Sequence, residues 1–199
     1  MQYKGISISK GNAKLGDKIL NISLPPIKSC AIGVPCTLCC YAVKCTRTRP
    51  TARKAWQQNL DLYEKNPFAY FGAILMAIME FKPKRFRWHV AGDIPDTAYL
   101  DHMIRIARLC PSVKFLCFTK RHGFVTLIPP PSNFNFVLSY WNDWGNPALT
   151  PSFASAWYRD PAKPDPRIPK NAKHCSGSCE TCSLCWNMKP GQSVVFDKH

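Results

Sequence analysis

Apolar and polar residues alternate over residues 18–24 (KILNISL) and stop at Pro25-Pro26, the pattern of a strand running into a loop. A cysteine-rich stretch follows, from Cys30 to Cys45. Helical spacing then takes over at residues 52–64 and 67–81, and the proline heading the second segment suits a first helical turn. Residues 86–90 (FRWHV) are rich in β-formers and end at Ala91-Gly92-Asp93. Asp96 or Thr97 can cap the next helix, which turns Tyr99, Leu100, Met103, Ile106, Ala107 and Cys110 inward and stops at Pro111. Residues 113–119 (VKFLCFT) read as a strand. A short segment, 123–128, then leads through Pro129-Pro130-Pro131 into a further strand at 134–140 (FNFVLSY).

Strand, crossover helix, strand is the rhythm of a parallel α/β architecture. Right-handed crossovers would put the helices on one outer side of a curved sheet or partial barrel. Ligands of such folds gather at the carboxyl ends of the strands, where both the cysteine loop and the Gly92-Asp93 turn belong. The expected organisation is a partial (β/α) barrel over residues 1–159. A Pro/Lys-rich connector (160–173) and a C-terminal cysteine cluster, together residues 160–199, would pack on the same domain.

Composition narrows the picture. At 199 residues the chain can bury one real core. Residues 1–18 carry no apolar leader, and the longest apolar stretch, 68–79, falls short of the roughly 20 residues of a membrane span. That stretch reads as a core helix, and the expected location is the cytoplasm. Eleven cysteines, an odd number, then point to metal ligation rather than a disulfide framework. Lys plus Arg outnumber Asp plus Glu by 27 to 12, so a polyanionic partner is expected: nucleic acid or an acidic protein surface.

The sharper cysteine motif is Cys175-x3-Cys179-x2-Cys182-x2-Cys185. Glycine and small polar spacers let so short a loop wrap its sulfurs around one centre, as the two-residue spacings of bacterial ferredoxins do. Zinc is the alternative metal, although zinc ribbons separate their CxxC pairs by longer stretches. The N-terminal group is Cys30-x5-Cys36-x2-Cys39-Cys40-x4-Cys45, more thiols than one cluster needs. Adjacent Cys39 and Cys40 diverge in most backbone conformations, so one of them is a packing residue, and Cys45 is a candidate for another. Three ligands would leave an open, reactive iron; four would close the site for electron carrying. Cys110 and Cys117 read as small buried hydrophobes, and His174 as a solvent-facing loop residue. His89 faces either the site or the far side of the sheet.

The order strand, cysteine loop, helix, strand, AGDIP turn is similar to the opening of the radical S-adenosylmethionine (SAM) superfamily. More narrowly, the chain resembles the small phage-encoded proteins of the "gene product eighty-eight" family. The carrying segments are SLPP before Cys30, CYA at residues 40–42, RWHVAGDI, FLCFTK at 115–120, LSYW at 138–141, and the closing cysteine run with VVFDKH; together they cover roughly residues 10–199. The resemblance implies a radical-SAM-type partial barrel. It implies a [4Fe-4S] cluster on Cys30, Cys36 and Cys40, an auxiliary cluster on Cys175, Cys179, Cys182 and Cys185, and a SAM-contacting turn at Gly92-Asp93. It places the protein in the host-cell cytoplasm. The chain departs from the superfamily's Cys-x3-Cys-x2-Cys loop: Cys36-x3-Cys40 supplies the first interval, but position 43 is Val. Asp93 is also one methylene shorter than the usual Glu.

Three functions follow as expectations. The first is an iron–sulfur protein on a radical-SAM-like fold; if it is an enzyme, Asp93 would hold a ligand amine and Lys120 a carboxylate or phosphate. The second is a non-enzymatic module held by iron–sulfur or zinc, binding nucleic acid or a host protein. Aromatics beside cations at residues 85–88 and 157–159 would then stack bases, unless they are the alternating core and surface positions of strands. The third is simple electron transfer.

Overall fold

The computed structural model describes residues 1–12, 14–141, 144–145 and 152–198. The chain opens with two short antiparallel strands, β1 (Gln2–Tyr3) and β2 (Ile6–Ser9), and then β3 (Ile19–Ile22). A 3-10 turn at Pro35–Cys39 leads into three helices, α1 (Tyr41–Thr48), α2 (Pro50–Lys65) and α3 (Pro67–Phe81). Next come β4 (Arg85–Trp88), α4 (Thr97–Leu109), β5 (Lys114–Thr119), α5 (His122–Val125), β6 (Phe134–Tyr140) and β7 (Ala154–Arg159). The chain closes with β8 (Lys173–His174), α6 (Leu184–Asn187) and β9 (Ser193–Asp197). The observed bounds of α3 and β6 coincide with the segments expected from the pattern. The caps are also where the residue types predict them: Asn66 accepts from the Ala69 amide at the head of α3, and Asp96 from the Tyr99 amide at the head of α4.

The architecture is mixed α/β. Among the described residues the strands form one sheet in the order β1-β2-β3-β4-β5-β6-β7-β9-β8. Every pairing from β3 onward is parallel. From β3 to β7 each strand lies beside its predecessor, so the chain steps in one direction across the sheet. A single crossover hand then puts the intervening helices on one face. That face carries the larger core, built from Leu60, Tyr70, Phe71 and Ile74 of α2 and α3, Leu100, Met103 and Ile104 of α4, and the strand residues Phe86, Trp88, Phe115 and Phe136.

β8 to β9 is the one backward step, because β9 lies between β7 and β8. The same handedness sends the connection of a backward step to the opposite face. That connection, residues 175–192, holds the whole C-terminal cysteine run. It does pack on the other face, over a smaller core of Leu15, Ile19, Leu116, Val137, Ala156 and Val194, with Trp186 and Met188 as its own contribution.

Among the described residues no helix is long and apolar enough to cross a membrane. The apolar stretch at 68–79 lies within α3, whose Tyr70, Phe71, Ile74 and Ile78 are buried in the core.

Candidate metal centres and the strand-end site

The N-terminal cysteine loop lies over the carboxyl ends of the strands, and its position follows from a few polar anchors. Ser23, just past β3, accepts hydrogen bonds from the Val90 and Ala91 amides (both 3.2 Å), and Leu24 donates to the Ala91 carbonyl (3.0 Å). The turn after β4 is thereby held against the start of the loop. Ser29, fully buried, donates to the Pro25 carbonyl at 2.8 Å and accepts from the Asp93 amide at 3.2 Å. Gly92 sits at this crossing with φ +81°, and a Cβ there would lie 2.5 Å from Ser29 Oγ and 2.7 Å from the Leu24 carbonyl oxygen. Only glycine fits both the dihedral and the space.

Asp93 is 5 % exposed. Its Oδ1 accepts from Thr119 Oγ1 (2.6 Å) and the Ile94 amide (2.8 Å), and its Oδ2 from the Lys120 amide (2.8 Å). Burial holds its carboxyl above the usual carboxylate range, outweighing these three donors and the Lys120 ammonium, which oppose it. The carboxylate therefore ties the β4 turn to the end of β5, leaving one Oδ2 lone-pair direction for anything else. Arg121 completes the clamp: its guanidinium donates to the carbonyls of Cys30 (2.9 Å), Ile94 (3.0 Å) and Pro95 (3.3 Å).

Within the loop, Cys30, Cys36 and Cys40 are electrostatic neighbours. Burial, with Asp93, Cys36 and Cys40 adding to it, pushes the Cys30 thiol up to about 11. Cys36 is also raised by burial, against the nearby Lys120 ammonium, which lowers it. Lys120 Nζ meanwhile lies 5.9 Å from the Trp141 ring, itself stacked on Tyr158 at 3.6 Å. Cys39 is exposed and Cys45 half-buried on α1.

The C-terminal run is held differently, by its backbone. The Cys175 amide donates to the Val195 carbonyl (3.0 Å), the Cys179 amide to the Lys14 carbonyl (2.8 Å), and Asn135 Nδ2 to the Cys185 carbonyl (2.6 Å). Its thiols share one neighbourhood. Burial and then Cys179, Cys175 and Cys182 push Cys185 up to about 12. Burial also raises Cys179, with Arg87 and Lys14 opposing. Arg85 and Arg87 point from β4 to this face: Arg85 stands 5.3 Å over the Trp186 ring and Arg87 4.8 Å over Phe118. Among the described residues neither guanidinium has an ion-pair partner. Arg87 Nε and Trp186 Nε1 are buried donors without a hydrogen-bond partner.

Neither group is closed around a centre: among the described residues no three His, Cys, Asp or Glu side chains converge at metal-ion geometry. The largest electrostatic influences on each group come from its own thiols and its own charged neighbours, Asp93 and Lys120 for one, Arg87 and Lys14 for the other.

Several single-residue expectations resolve. His89 faces the helices: it is 3 % exposed, bonds Tyr99 through Nε2 at 3.0 Å, and is pushed down to about 3 by burial and then by Arg87. Cys110 and Cys117 are buried packing residues. His174 is exposed and lies 3.7 Å from Asp197. Phe86, Trp88 and Trp157 are buried, so their rings serve the core rather than base stacking. Ser29, Thr119 and Arg121 were not anticipated; the polar run Thr119-Lys120-Arg121 across the end of a strand was the available signal.

The gene product 88 family model matches residues 6–188. The chain belongs to the gene product 88 family. No curated protein and no solved structure matches it. The match therefore covers β2 to β8, the cysteine loop and the whole C-terminal run.

Proposed function

We propose that this gene product 88 protein is an iron–sulfur protein in which Cys175, Cys179, Cys182 and Cys185 bind a [4Fe-4S] cluster. The observation that carries the reading is that, of the four buried side-chain nitrogens without a partner among the described residues, Arg87 Nε and Trp186 Nε1 lie on the face that carries Cys175, Cys179 and Cys185, whereas Trp88 Nε1 and His89 Nδ1 lie toward the helices. A buried N–H without a partner costs free energy, and sulfur ligands of a metal centre accept such donors. The two guanidiniums of Arg85 and Arg87, unpaired with carboxylate, suit a centre of net negative charge. Raised thiols favour the protonated form until a cation arrives, so loading releases protons and gathers the quartet.

A second centre on Cys30, Cys36 and Cys40 completes the reading, on a sheet of radical-SAM partial-barrel type. Its support is the consecutive parallel order from β3 to β7 and the position of the loop at the strand ends. Three thiols leave a coordination position open there, beside Asp93 and Lys120. SAM-type or other redox chemistry belongs at this centre rather than at the C-terminal one. A non-enzymatic, zinc-stabilised module is the competing reading, and the donor set alone suits it.

Anaerobic reconstitution with iron and sulfide, followed by metal and sulfide analysis and electron paramagnetic resonance, tests this. Equal iron and sulfide, with part of the signal lost in Cys182→Ala, is the expected result. A colourless protein with stoichiometric zinc and no sulfide overturns it.

A further inference from the structure

We propose that α1 and the first turns of α2 form a docking surface for duplex nucleic acid, gripped through its phosphodiester backbone. The inference stands independently of the metal centres. No Asp or Glu occurs between Asp17 and Asp61. Within that stretch Lys44, Arg47, Arg49, Arg53 and Lys54 are all exposed. Among the described residues none of the five is ion-paired, every salt bridge falling at residues 101–198. Lys28, also exposed, is drawn to the same side by its bond to Gln57 Oε1 of α2 at 2.8 Å.

Physical chemistry makes this arrangement costly without a partner. Five like charges repel one another, and Arg49, Arg53 and Lys54 gather at the start of α2, where the helix dipole already disfavours cations. Both helices lack an acidic residue in the first turn, and Arg49 supplies no side-chain cap to α2. A row of phosphates relieves both penalties. Lys44 and Arg47 lie three residues apart on α1, roughly 5 Å along its axis at about 1.5 Å per residue, a spacing of the order of that between neighbouring phosphates of one strand.

Duplex is favoured over single-stranded nucleic acid because single-strand binding relies on stacking platforms. Over α1 and the first turns of α2 the aromatics are Tyr41 and Trp56, and Trp56 is half-buried. The competing occupant is an acidic protein with an apolar contact, because Ile32 and Leu38 on the adjoining cysteine loop are 97 % and 93 % exposed.

Fluorescence anisotropy with a labelled 20-base-pair DNA duplex, over a salt series, decides it. Binding should weaken with salt at a log–log slope of about −4 to −5. The triple variant Arg47→Gln/Arg49→Gln/Arg53→Gln should bind at least about tenfold more weakly and lower that slope by about 3. Lys82→Gln/Lys84→Gln/Lys189→Gln removes the same charge from exposed positions elsewhere and should change affinity less than about twofold. If the first triple fails to fold, single Arg47→Gln carries the test with a slope change of about 1. Equal losses in both triples, tighter binding of the single strand, or a loss confined to Ile32→Ser/Leu38→Ser would each overturn the proposal.

Discussion

The two cysteine groups use the same residue under opposite constraints. The C-terminal run is fixed through its main chain, with amides of Cys175 and Cys179 bonded to Val195 and Lys14 and its flanking Trp186 packed in a core. The N-terminal loop is fixed at its entrance, by Ser29, Gly92 and Arg121, while the segment that follows exposes Ile32 and Leu38 almost completely. A group held along its length suits a permanent centre. A group pinned at its entrance and open above suits a site where something enters. The anionic neighbour of the loop is a carboxylate, Asp93, whereas the charged neighbours of the run are the cations Arg87 and Lys14.

The comparison breaks most visibly under cysteine replacement. Cys182→Ser should remove one centre and roughly half of the reconstituted iron while leaving the loop's signal, and Cys36→Ser should do the converse. Metal analysis with electron paramagnetic resonance checks both, and loss of all iron in either variant would mean one shared site.

Gly92→Ala comes next. Strain at φ +81° and overlap with Ser29 Oγ should destabilise the fold by about 3 kcal/mol, read from a urea midpoint, with the strand-end site affected and the run spared. Arg121→Met removes the charged donor to the Cys30, Ile94 and Pro95 carbonyls. It should cost about 2 kcal/mol and make residues 30–40 more open to proteolysis.

The pH dependence is smaller and common to both groups. In the metal-free protein the thiols of Cys30 and Cys185 titrate at about 11 and about 12 when folded, above an unfolded thiol. Protons are then bound more tightly by the folded state, so stability is full below about pH 8.5 and falls as pH rises toward those values. Metal affinity moves the other way and rises with pH, because loading must displace the protons. Urea titrations and metal competition at pH 7 and 9 separate the two trends. Smallest in stability is Trp186→Phe, which keeps the packing and removes one orphaned N–H. It should change the unfolding midpoint little while shifting the midpoint potential of the C-terminal centre downward.

The strand–helix rhythm between residues 18 and 140 was legible because proline and glycine punctuate it and the periods are clean: Pro67 opens α3, and Pro131 precedes β6. Three kinds of element were not. β1 has two residues, β2 alternates Ile and Ser over only four, and α1 hides inside a stretch dominated by cysteines. β9 and β7 join a sheet whose order cannot be read from local pattern, since β9 enters between β7 and β8.

At the site, the turn at Gly92-Asp93 and the cysteines were readable as residue types. The tethers were not, because Arg121 and Cys30 stand 91 residues apart, and Ser29 and Asp93 stand 64 apart. Such pairs have no local period to betray them. Asp93 is an example: its residue type suggests a ligand contact, and only the fold reveals that three of its acceptor directions are spent inside the protein.

The backward step from β8 to β9 also has a kinetic meaning. Together with the segment around Leu15, the 18 residues between Lys173-His174 and Ser193 close over the face that the crossover helices leave bare. A loop of that kind closes late, once its neighbours exist to receive it. Contacts absent from a folding transition state act on the rate of unfolding rather than on the rate of folding. Four sulfurs gathered within this one late-closing stretch would therefore work as a latch on the lifetime of the finished protein, with little influence on how fast it forms.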